Sequence, residues 1–396
     1  MINYDSILSD KVKDMKPSGI RKFFDLAANM EGVISLGVGE PDFQTPWLIR
    51  KKALDVLERK RMIYSSNQGL TELRENIADY LERKYNLKYD PLSEVVVTVG
   101  GSEAIDLAIR AVVNPGDEVL IVEPSFVCYK PIVELMHGVA VPIPTKEENR
   151  FKLTAEELRS HITDKTKLLI LPYPNNPTGA IMTREDLEAI AEVLKGTNIL
   201  VLSDEIYSEL TYGRKHCSVA EIPGMHERTI YVSGFSKAFA MTGWRLGYLC
   251  APQPLTSQML KIHQYAIMCA PTMSQYAAIV ALKDCDREVE KMVEEYNVRR
   301  RILVDGFNRI GLTCFEPEGA FYVFPCVKST GMTSEEFCSK LLEEKKVAVV
   351  PGNAFGESGE GFIRVSYAYS LKHLMTALEC IEDFVKNHTV SGKGEI

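Results

Sequence analysis

The segment Ser233 to Arg245 reads Ser-Gly-Phe-Ser-Lys-Ala-Phe-Ala-Met-Thr-Gly-Trp-Arg. Its Lys237 follows a β-like run, Thr229 to Val232, and has the small residues Gly234 and Ser236 just before it. A lysine at the end of a strand with small neighbours is accessible to a flat ligand, and lysine is the side chain that forms Schiff bases with carbonyl compounds. The same pattern also suits a solvated surface lysine beside a packing tryptophan, so other segments must decide between the two.

Polar side chains follow two further apolar strands. Asp204 comes after one of them, inside Ser203-Asp204-Glu205-Ile206-Tyr207, and Asn176 comes after another, inside the Pro- and Asn-rich segment 173–179. A strand-end aspartate often caps the next helix, and a segment rich in Pro, Asn and Gly is typical of a turn. Because open α/β sheets bind ligands at the carboxyl ends of their strands, the same residues also indicate a site.

An anion site is predicted where a strand, 95–99, leads into Gly100-Gly101-Ser102-Glu103 and an amphipathic helix. Free N–H groups and the helix dipole converge at such an N-terminus. A glycine turn alone is weak support, because many α/β proteins need one there for geometry. The Arg245 guanidinium and the Ser236 hydroxyl would add charge-assisted hydrogen bonds to the same anion.

One cofactor needs all of these groups together. Pyridoxal 5′-phosphate requires a lysine for its aldehyde, an anion beside its pyridine nitrogen, donors for its phosphate and phenolate oxygens, and a flat side chain against its ring. Lys237 can supply the amine, and Asp204 can keep the pyridine nitrogen protonated so that the ring remains an electron sink. Tyr207 and Asn176 can donate to the phenolate oxygen.

Six motifs occur in the order of a known family. They are Leu36-Gly37-Val38-Gly39-Glu40-Pro41-Asp42-Phe43, Gly100-Gly101-Ser102, Asn175-Asn176-Pro177-Thr178-Gly179, Ser203-Asp204-Glu205-Ile206-Tyr207, the segment Lys237 to Arg245, and Phe362-Ile363-Arg364-Val365-Ser366-Tyr367-Ala368. With them the chain resembles the class I/II aminotransferases of the pyridoxal-phosphate fold type I group, and it is closest to the aspartate and aromatic amino acid aminotransferases. The resemblance extends from residue 36 to residue 368, nearly the whole chain.

The resemblance implies an enzyme that moves an amino group between an L-amino acid (aspartate, aromatic or related) and a 2-oxo acid such as 2-oxoglutarate. It implies catalytic roles for Lys237, Asp204 and Tyr207. The residues that it implies for the cofactor are Gly101, Ser102, Glu103, Phe126, Asn176, Asp204, Tyr207, Ser236, Lys237, Arg245 and Tyr64. Those that it implies for the substrate are Gly39, Asn176, Arg364 and Arg21.

Four positions bear on the oligomeric state, the phosphate contacts and the substrate. Tyr64 resembles a tyrosine that reaches the phosphate of the neighbouring subunit, so a homodimer is expected. Gly234 stands where many relatives carry a hydroxyl residue, and Ser102 stands where some aspartate-specific relatives carry a lysine. Arg21 is either an N-terminal arginine over the substrate pocket or a solvated helix arginine.

The fold class predicted is α/β. Apolar strands near 95–99, 118–123, 167–171, 198–202, 229–232 and 247–250 alternate with helices, which favours a mostly parallel sheet. Long helices near 254–283 and 286–310 follow, and then short strands near 313–317, 320–325, 347–350 and 362–367. With the fold type I architecture this predicts a large cofactor-binding domain, 49–285, and a smaller α+β domain, 1–48 plus 286–396.

Composition excludes several functions. The 396 residues carry a net charge of -8 with no basic stripe, so no nucleic-acid partner is expected. We find no export signal and no long apolar run, which predicts no membrane partner. Nine scattered cysteines without a C-x-x-C pair predict reduced thiols in a cytoplasmic protein, and seven scattered histidines give no metal-binding spacing.

Three other functions remain open from the residues. A pyridoxal-phosphate C–S β-lyase shares nearly all of these residues, because the way the substrate is held selects the bond that breaks. A nicotinamide oxidoreductase is suggested by Gly37-Val38-Gly39, but Asp42 occupies the third glycine position of its fingerprint. A non-catalytic regulator on this fold would need a DNA-binding module, for which the chain has no spare N-terminal length.

Overall fold

The computed structural model describes residues 2–17, 19 and 30–388. Its strands are β1 Ile34–Ser35, β2 Val95–Thr98, β3 Glu118–Glu123, β4 Val139–Pro144, β5 Thr166–Leu171, β6 Leu200–Asp204, β7 Thr229–Gly234, β8 Gly247–Cys250, β9 Tyr322–Val323, β10 Val347–Ala348, β11 Val350–Pro351 and β12 Ile363–Ser366. Its helices are α1 Asp10–Asp14, α2 Trp47–Arg59, α3 Thr71–Tyr85, α4 Gly100–Val112, α5 Tyr129–Leu135, α6 Ala155–His161, α7 Arg184–Leu194, α8 Gln253–Ala266, α9 Thr272–Asp284, α10 Asp286–Arg309, α11 Ser334–Lys345 and α12 Leu371–His388.

A seven-stranded sheet in the order β2-β8-β7-β6-β5-β3-β4 forms the centre of the molecule. The strands from β4 to β7 are parallel, and β8 is antiparallel to both β7 and β2. Strands β2, β7 and β8 are buried along their whole length, which explains their apolar runs without alternation. The predicted α/β class with a mostly parallel sheet is confirmed.

Strand β4 was not predicted, although the other six strands of the sheet were. It lies at the edge of the sheet and carries Pro142 and Pro144. Proline cannot donate to a strand ladder and is tolerated at sheet edges, so this segment has the sequence of a turn while it pairs with β3 on one side only.

The helical pattern near 254–283 corresponds to two helices rather than one. Helix α8 ends at Ala266 and α9 begins at Thr272, with Met268 at a φ of 72° and Pro271 at the start of α9. Proline has no backbone N–H, so it stops one helix and fits the first turn of the next. The pattern near 286–310 is confirmed by α10.

Two small sheets accompany the central one. Strands β11, β12 and β9 form an antiparallel sheet, and β1 pairs in parallel with β10. The strand expected near 313–317 is wrong. In this segment the backbone of Cys314 bonds a side chain instead of a neighbouring strand: its N–H donates to Asn308 Oδ1, and its carbonyl accepts from Asn308 Nδ2. Within the described residues, no helix combines the length and the apolar character needed to cross a membrane.

Candidate active site

A cavity of about 550 Å³ opens where the carboxyl ends of the central strands meet. Strand β6 ends at Asp204, β7 ends three residues before Lys237, and helix α4 begins at Gly100 immediately beyond β2. The parallel arrangement thus brings together segments that are far apart in sequence. The residues that line the cavity are Val38, Gly39, Glu40, Gly101, Ser102, Ile105, Phe126, Tyr129, Pro172, Pro174, Asn176, Asp204, Ile206, Tyr207, Ser236, Lys237, Thr242, Gly243, Arg245, Tyr322 and Arg364.

The Lys237 amine lies inside this cavity. Its Nζ donates to the Gly39 carbonyl at 2.6 Å. Burial lowers the pKa of Lys237 to about 8, and the positive charges of Arg364 and Arg245 act in the same direction, while Glu40 opposes them. A tenth or so of the amine is therefore neutral at pH 7, which is the form that attacks a carbonyl carbon.

Asp204 is a buried carboxylate at the end of β6. Its Oδ2 accepts a hydrogen bond from the Tyr129 hydroxyl at 2.6 Å, and its Oδ1 accepts one from the Ile206 N–H at 3.3 Å. Burial raises the pKa of Asp204, and the bond from Tyr129 partly offsets this. A buried carboxylate of this kind is stabilised by a cationic N–H group placed against it.

The turn at the start of α4 is open because two glycines, Gly100 and Gly247, meet there. Gly100 has a φ of 73°, and a Cβ on it would lie 2.7 Å from Arg245 Nη2. A Cβ on Gly247 would lie 2.5 Å from the Gly100 carbonyl carbon. Glycine at both positions lets the Arg245 guanidinium approach the N-terminus of α4, where Gly101 and Ser102 line the cavity. This arrangement can bind an anion.

Arg364, on β12, is buried at the opposite side of the cavity. Its Nη1 donates to Asn176 Oδ1 at 2.9 Å and its Nη2 donates to the Gly37 carbonyl. The guanidinium carbon lies 4.5 Å from the ring centre of Tyr322 and 4.8 Å from that of Phe355. Burial lowers the pKa of Arg364. A buried guanidinium without a carboxylate partner among the described residues is suited to binding a carboxylate ligand.

Two tyrosine hydroxyls meet between these regions. The Tyr207 and Tyr322 hydroxyl oxygens are 2.9 Å apart, and burial raises the pKa of both side chains. The Tyr322 hydroxyl also lies against Gly39, where a Cβ would overlap it. Both hydroxyls therefore stay protonated at neutral pH and can donate hydrogen bonds.

Most of the residues expected at the site line this one cavity: Gly39, Gly101, Ser102, Phe126, Asn176, Asp204, Tyr207, Ser236, Lys237, Arg245 and Arg364. Glu103 does not line it, because its carboxylate accepts hydrogen bonds from the Val99 N–H and from His263. Tyr64 lies outside it with 77% of its surface exposed. Arg21 is outside the described residues.

Gly234 is explained by the packing of β7 on β8. A Cβ on Gly234 would lie 3.0 Å from Gly247 Cα and 3.0 Å from the Leu246 carbonyl oxygen. The backbones approach so closely that a hydroxyl residue there would require a shift. The close packing of the two strands therefore explains the glycine at position 234.

The sequence did not indicate Tyr129, Tyr322, Glu40 or Thr242 as site residues. Tyr129 lies three residues after Phe126, and the two rings pack edge to face with their centroids 6.0 Å apart, but in the sequence Tyr129 is one more aromatic residue in an apolar segment. Tyr322 lies within a predicted apolar strand, where a tyrosine is expected simply to pack, so the sequence contains no signal for it. Thr242 donates to Glu40 at 3.3 Å across the cavity rim.

The groups present fit pyridoxal 5′-phosphate. The Lys237 amine suits its aldehyde, and the buried Asp204 carboxylate suits its pyridine nitrogen. The two phenolic hydroxyls suit its phenolate oxygen, and the glycine turn beside Arg245 suits its phosphate. Asn176 lines the same cavity, and its Oδ1 accepts a hydrogen bond from Arg364. Within residues 2–17, 19 and 30–388, no cluster of three or more His, Cys, Asp or Glu side chains is arranged to hold a metal ion.

Comparison with known proteins agrees with this geometry. Residues 31–381 match the family "Aminotransferase class I and II". The YugH protein of Bacillus subtilis is 53% identical over 97% of this chain and 100% of its own length, and an aspartate aminotransferase of Pyrococcus abyssi is 46% identical over 96% and 98%. The crystal structure of an aromatic aminotransferase from Pyrococcus horikoshii aligns with a TM-score of 0.88 at 44% identity, covering 93% of this chain and 99% of that one. The chain belongs to the class I and II aminotransferases, pyridoxal-5′-phosphate-dependent enzymes of fold type I whose substrates are amino acids and 2-oxo acids.

Proposed function

We propose that the cavity around Lys237 is where this enzyme transfers an amino group between an L-amino acid (aspartate, aromatic or related) and a 2-oxo acid such as 2-oxoglutarate. The observation that carries the proposal is that the Lys237 amine, the Arg364 guanidinium and the Asp204 carboxylate all line one cavity. The relatives named for aspartate and for aromatic substrates support the substrate class.

When bound, pyridoxal phosphate supplies a carbonyl carbon for the amino group and a ring that takes up the electron pair left at the substrate Cα. Lys237 then acts as the acid and base at that carbon. Its lowered pKa, about 8, keeps the amine close to the range where it both takes and returns a proton at neutral pH. Positioned acid–base catalysis of this kind contributes on the order of 10²- to 10⁴-fold.

Other residues hold the reacting groups. Arg364, with Asn176 beside it, binds the substrate α-carboxylate, and this fixes which bond at Cα is aligned for cleavage. Tyr207 would donate to the phenolate oxygen, and Asp204 would hold the protonated pyridine nitrogen. Phe126 would pack against the ring face. Ser236, Arg245 and the turn at Gly101 and Ser102 line the same cavity and would hold the phosphate.

The test is Lys237→Ala, which we expect to retain bound cofactor with nearly no turnover. Lys195→Ala removes an exposed lysine and is the matched control. Half-reactions with glutamate and with 2-oxoglutarate are followed by absorbance in single turnovers. Wild-type half-reaction rates in Lys237→Ala would overturn the assignment. Pyruvate release from a cysteine conjugate would instead identify β-elimination.

The distal end of the substrate is proposed to be read by Arg21, because Ser102 cannot supply the cation that a lysine would. The cationic side chain of Arg21 would favour an acidic distal group over an aromatic ring. A panel of aspartate, glutamate, phenylalanine and tyrosine is measured with wild type and Arg21→Ala. An unchanged ratio of acidic to aromatic kcat/KM would show that Arg21 does not read this group.

A homodimer that shares its active sites is also proposed. Ile63, Tyr64 and Tyr265 expose 63%, 77% and 89% of their surfaces. The segment that contains Ile63 and Tyr64 is joined to the segment that contains Tyr265 by two hydrogen bonds of 2.8 Å. Thr272 donates to the Ile63 carbonyl, and Asn67 donates to the Met268 carbonyl. Exposed apolar side chains on two hydrogen-bonded segments are of the kind that a second copy covers.

Sedimentation of wild type and Tyr64→Phe tests this assembly. Both are expected to be dimers, and Tyr64→Phe is expected to bind the cofactor several-fold more weakly because it loses one phosphate donor. Tyr265→Phe is the control. A wild-type protein that is monomeric and fully active at the assay concentration would contradict the shared site.

We also propose the domain division 49–285 and 1–48 plus 286–396. The seven-stranded sheet lies in the first part and both small sheets lie in the second, and α10 begins at Asp286. Hydrogen exchange with and without a dicarboxylate inhibitor would show two separately protected units. A cytoplasmic location is proposed because all nine cysteines are free thiols.

A further inference from the structure

We propose that Tyr322 is a positioning residue that serves both ends of the cavity, with its hydroxyl acting on Tyr207 and its ring acting on Arg364. The proposal rests on the site assignment above and adds a residue that the sequence did not indicate. Tyr322 lies on β9 opposite Ser366 of β12, and it exposes only 1% of its surface.

The hydroxyl acts through Tyr207. Each phenol has one proton, and the two oxygens are 2.9 Å apart, so only one of them donates along this bond. If Tyr207 gives its proton to an oxyanion in the cavity, Tyr322 must be the donor to Tyr207. Successive donors in a chain polarise one another, so Tyr322 makes Tyr207 a stronger donor.

The ring acts on Arg364. The guanidinium carbon is 4.5 Å from the ring centre of Tyr322, within the range of a cation–π contact, which is strongest in a desolvated site. Phe355 lies at 4.8 Å, so two aromatic faces contact one guanidinium. The Nε of Arg364 has no hydrogen-bond partner among the described residues. The orientation of Arg364 toward the cavity therefore depends on aromatic packing as well as on Asn176 and Gly37.

Gly39 makes room for this tyrosine. A Cβ at position 39 would overlap the Tyr322 hydroxyl. The Gly39 carbonyl in turn accepts the hydrogen bond from Lys237 at 2.6 Å. The titratable and charged groups that face the Tyr207–Tyr322 pair are Glu40, Tyr129, Asp204, Lys237, Arg364 and Tyr369.

Tyr322→Phe separates the hydroxyl from the ring. We expect the pH midpoint of the visible absorption change of the cofactor-loaded enzyme to rise by about 0.5 pH unit, since a weaker Tyr207 donor stabilises the anionic ring oxygen less. Binding of succinate and of 3-phenylpropionate, measured by calorimetry, should stay within about twofold because the ring remains. Tyr367→Phe is the control, as its hydroxyl bonds the Ala320 carbonyl away from the cavity.

Tyr322→Leu removes the ring as well. We expect both carboxylates to bind about 10-fold more weakly than in Tyr322→Phe, with KM rising more than kcat falls, because Arg364 loses one aromatic face. Thermal unfolding of the cofactor-free variants reports whether folding is retained.

A double-mutant cycle decides the hydroxyl's role. In a Tyr207→Phe background, Tyr322→Phe should shift the absorption midpoint no further, because its only target is gone. A full shift in that background, no shift in the single variant, or an equal shift in Tyr367→Phe would overturn the proposal. A wild-type protein that failed to bind pyridoxal phosphate would instead contradict the site assignment itself.

Discussion

The reactivity of Lys237 should follow a titration centred near pH 8 and should depend on one particular carboxylate. Burial lowers the pKa of this amine from 10.5 to about 8, with Arg364 and Arg245 adding to the effect. Glu40 is the largest influence in the opposite direction. Replacing Glu40 by Gln removes a negative charge that favours the protonated amine, so the pKa of Lys237 should fall further.

The size of the effect follows from the two pKa values. At pH 7 an amine with a pKa of about 8 is about 10% neutral, whereas one at 10.5 is about 0.03% neutral. The neutral fraction in the site is thus about 300-fold larger than for an ordinary lysine. Glu40 is exposed, so solvent screens its charge and the variant should move the midpoint only by a few tenths of a pH unit.

Competitive labelling of the cofactor-free protein measures this without relying on turnover. The protein is treated with trace acetic anhydride between pH 6 and pH 11, and the acetylated fraction of the Lys237 peptide is compared with that of Lys195, an exposed lysine. Glu40→Gln is run in parallel. Glu192→Gln, which removes an exposed carboxylate beside Lys195, is the matched control for a lost surface charge.

A midpoint at pH 9.5 or above for Lys237 would refute the argument that burial controls this amine. A rise rather than a fall of the midpoint in Glu40→Gln would refute the assignment of Glu40 as its main electrostatic partner. Equal shifts in the two glutamate variants would mean that net charge, not proximity, is responsible.

Three further changes have defined outcomes. Lys237→Met should stabilise the cofactor-free protein by about 1–2 kcal/mol at pH 7, because a lysine whose pKa is lowered by folding binds its proton more tightly in the unfolded chain. This gain in the free energy of unfolding should shrink as the pH rises from 8 to 10.5. Thermal unfolding measured across this pH range tests it. Tyr129→Phe removes the bond that lowers the pKa of Asp204, so that pKa should rise and the cofactor should dissociate about 3- to 10-fold faster, measured by fluorescence. Gly247→Ala should cost about 2 kcal/mol or more in urea unfolding, since its Cβ would meet the Gly100 backbone, whereas Gly243→Ala, with open space around it, should be nearly neutral.

The central sheet could be predicted because its strands obey a simple rule. Strands buried on both faces are continuous apolar runs, and β3 and β8 have the predicted bounds. The rule fails at the edge, where β4 is half exposed and contains two prolines. It also fails for 313–317, where an asparagine side chain rather than a strand satisfies the backbone. In both cases the partner that decides the conformation lies outside the segment.

The same distinction applies to the site. Lys237 and Asp204 follow strand ends and could be named from local sequence, whereas Arg364, inside β12, was implied by the family resemblance. The structure places all three around one cavity. Tyr129, at the start of α5, bonds Asp204 at the end of β6, and Tyr322, on β9, bonds Tyr207. In the sequence each is one more aromatic residue in an apolar segment, and only a distance of 2.6 or 2.9 Å between two oxygens distinguishes a positioning hydroxyl from core packing. Hydroxyls that act on a site through a second residue can therefore be identified only from the tertiary structure, because the direction of a hydrogen bond depends on both partners.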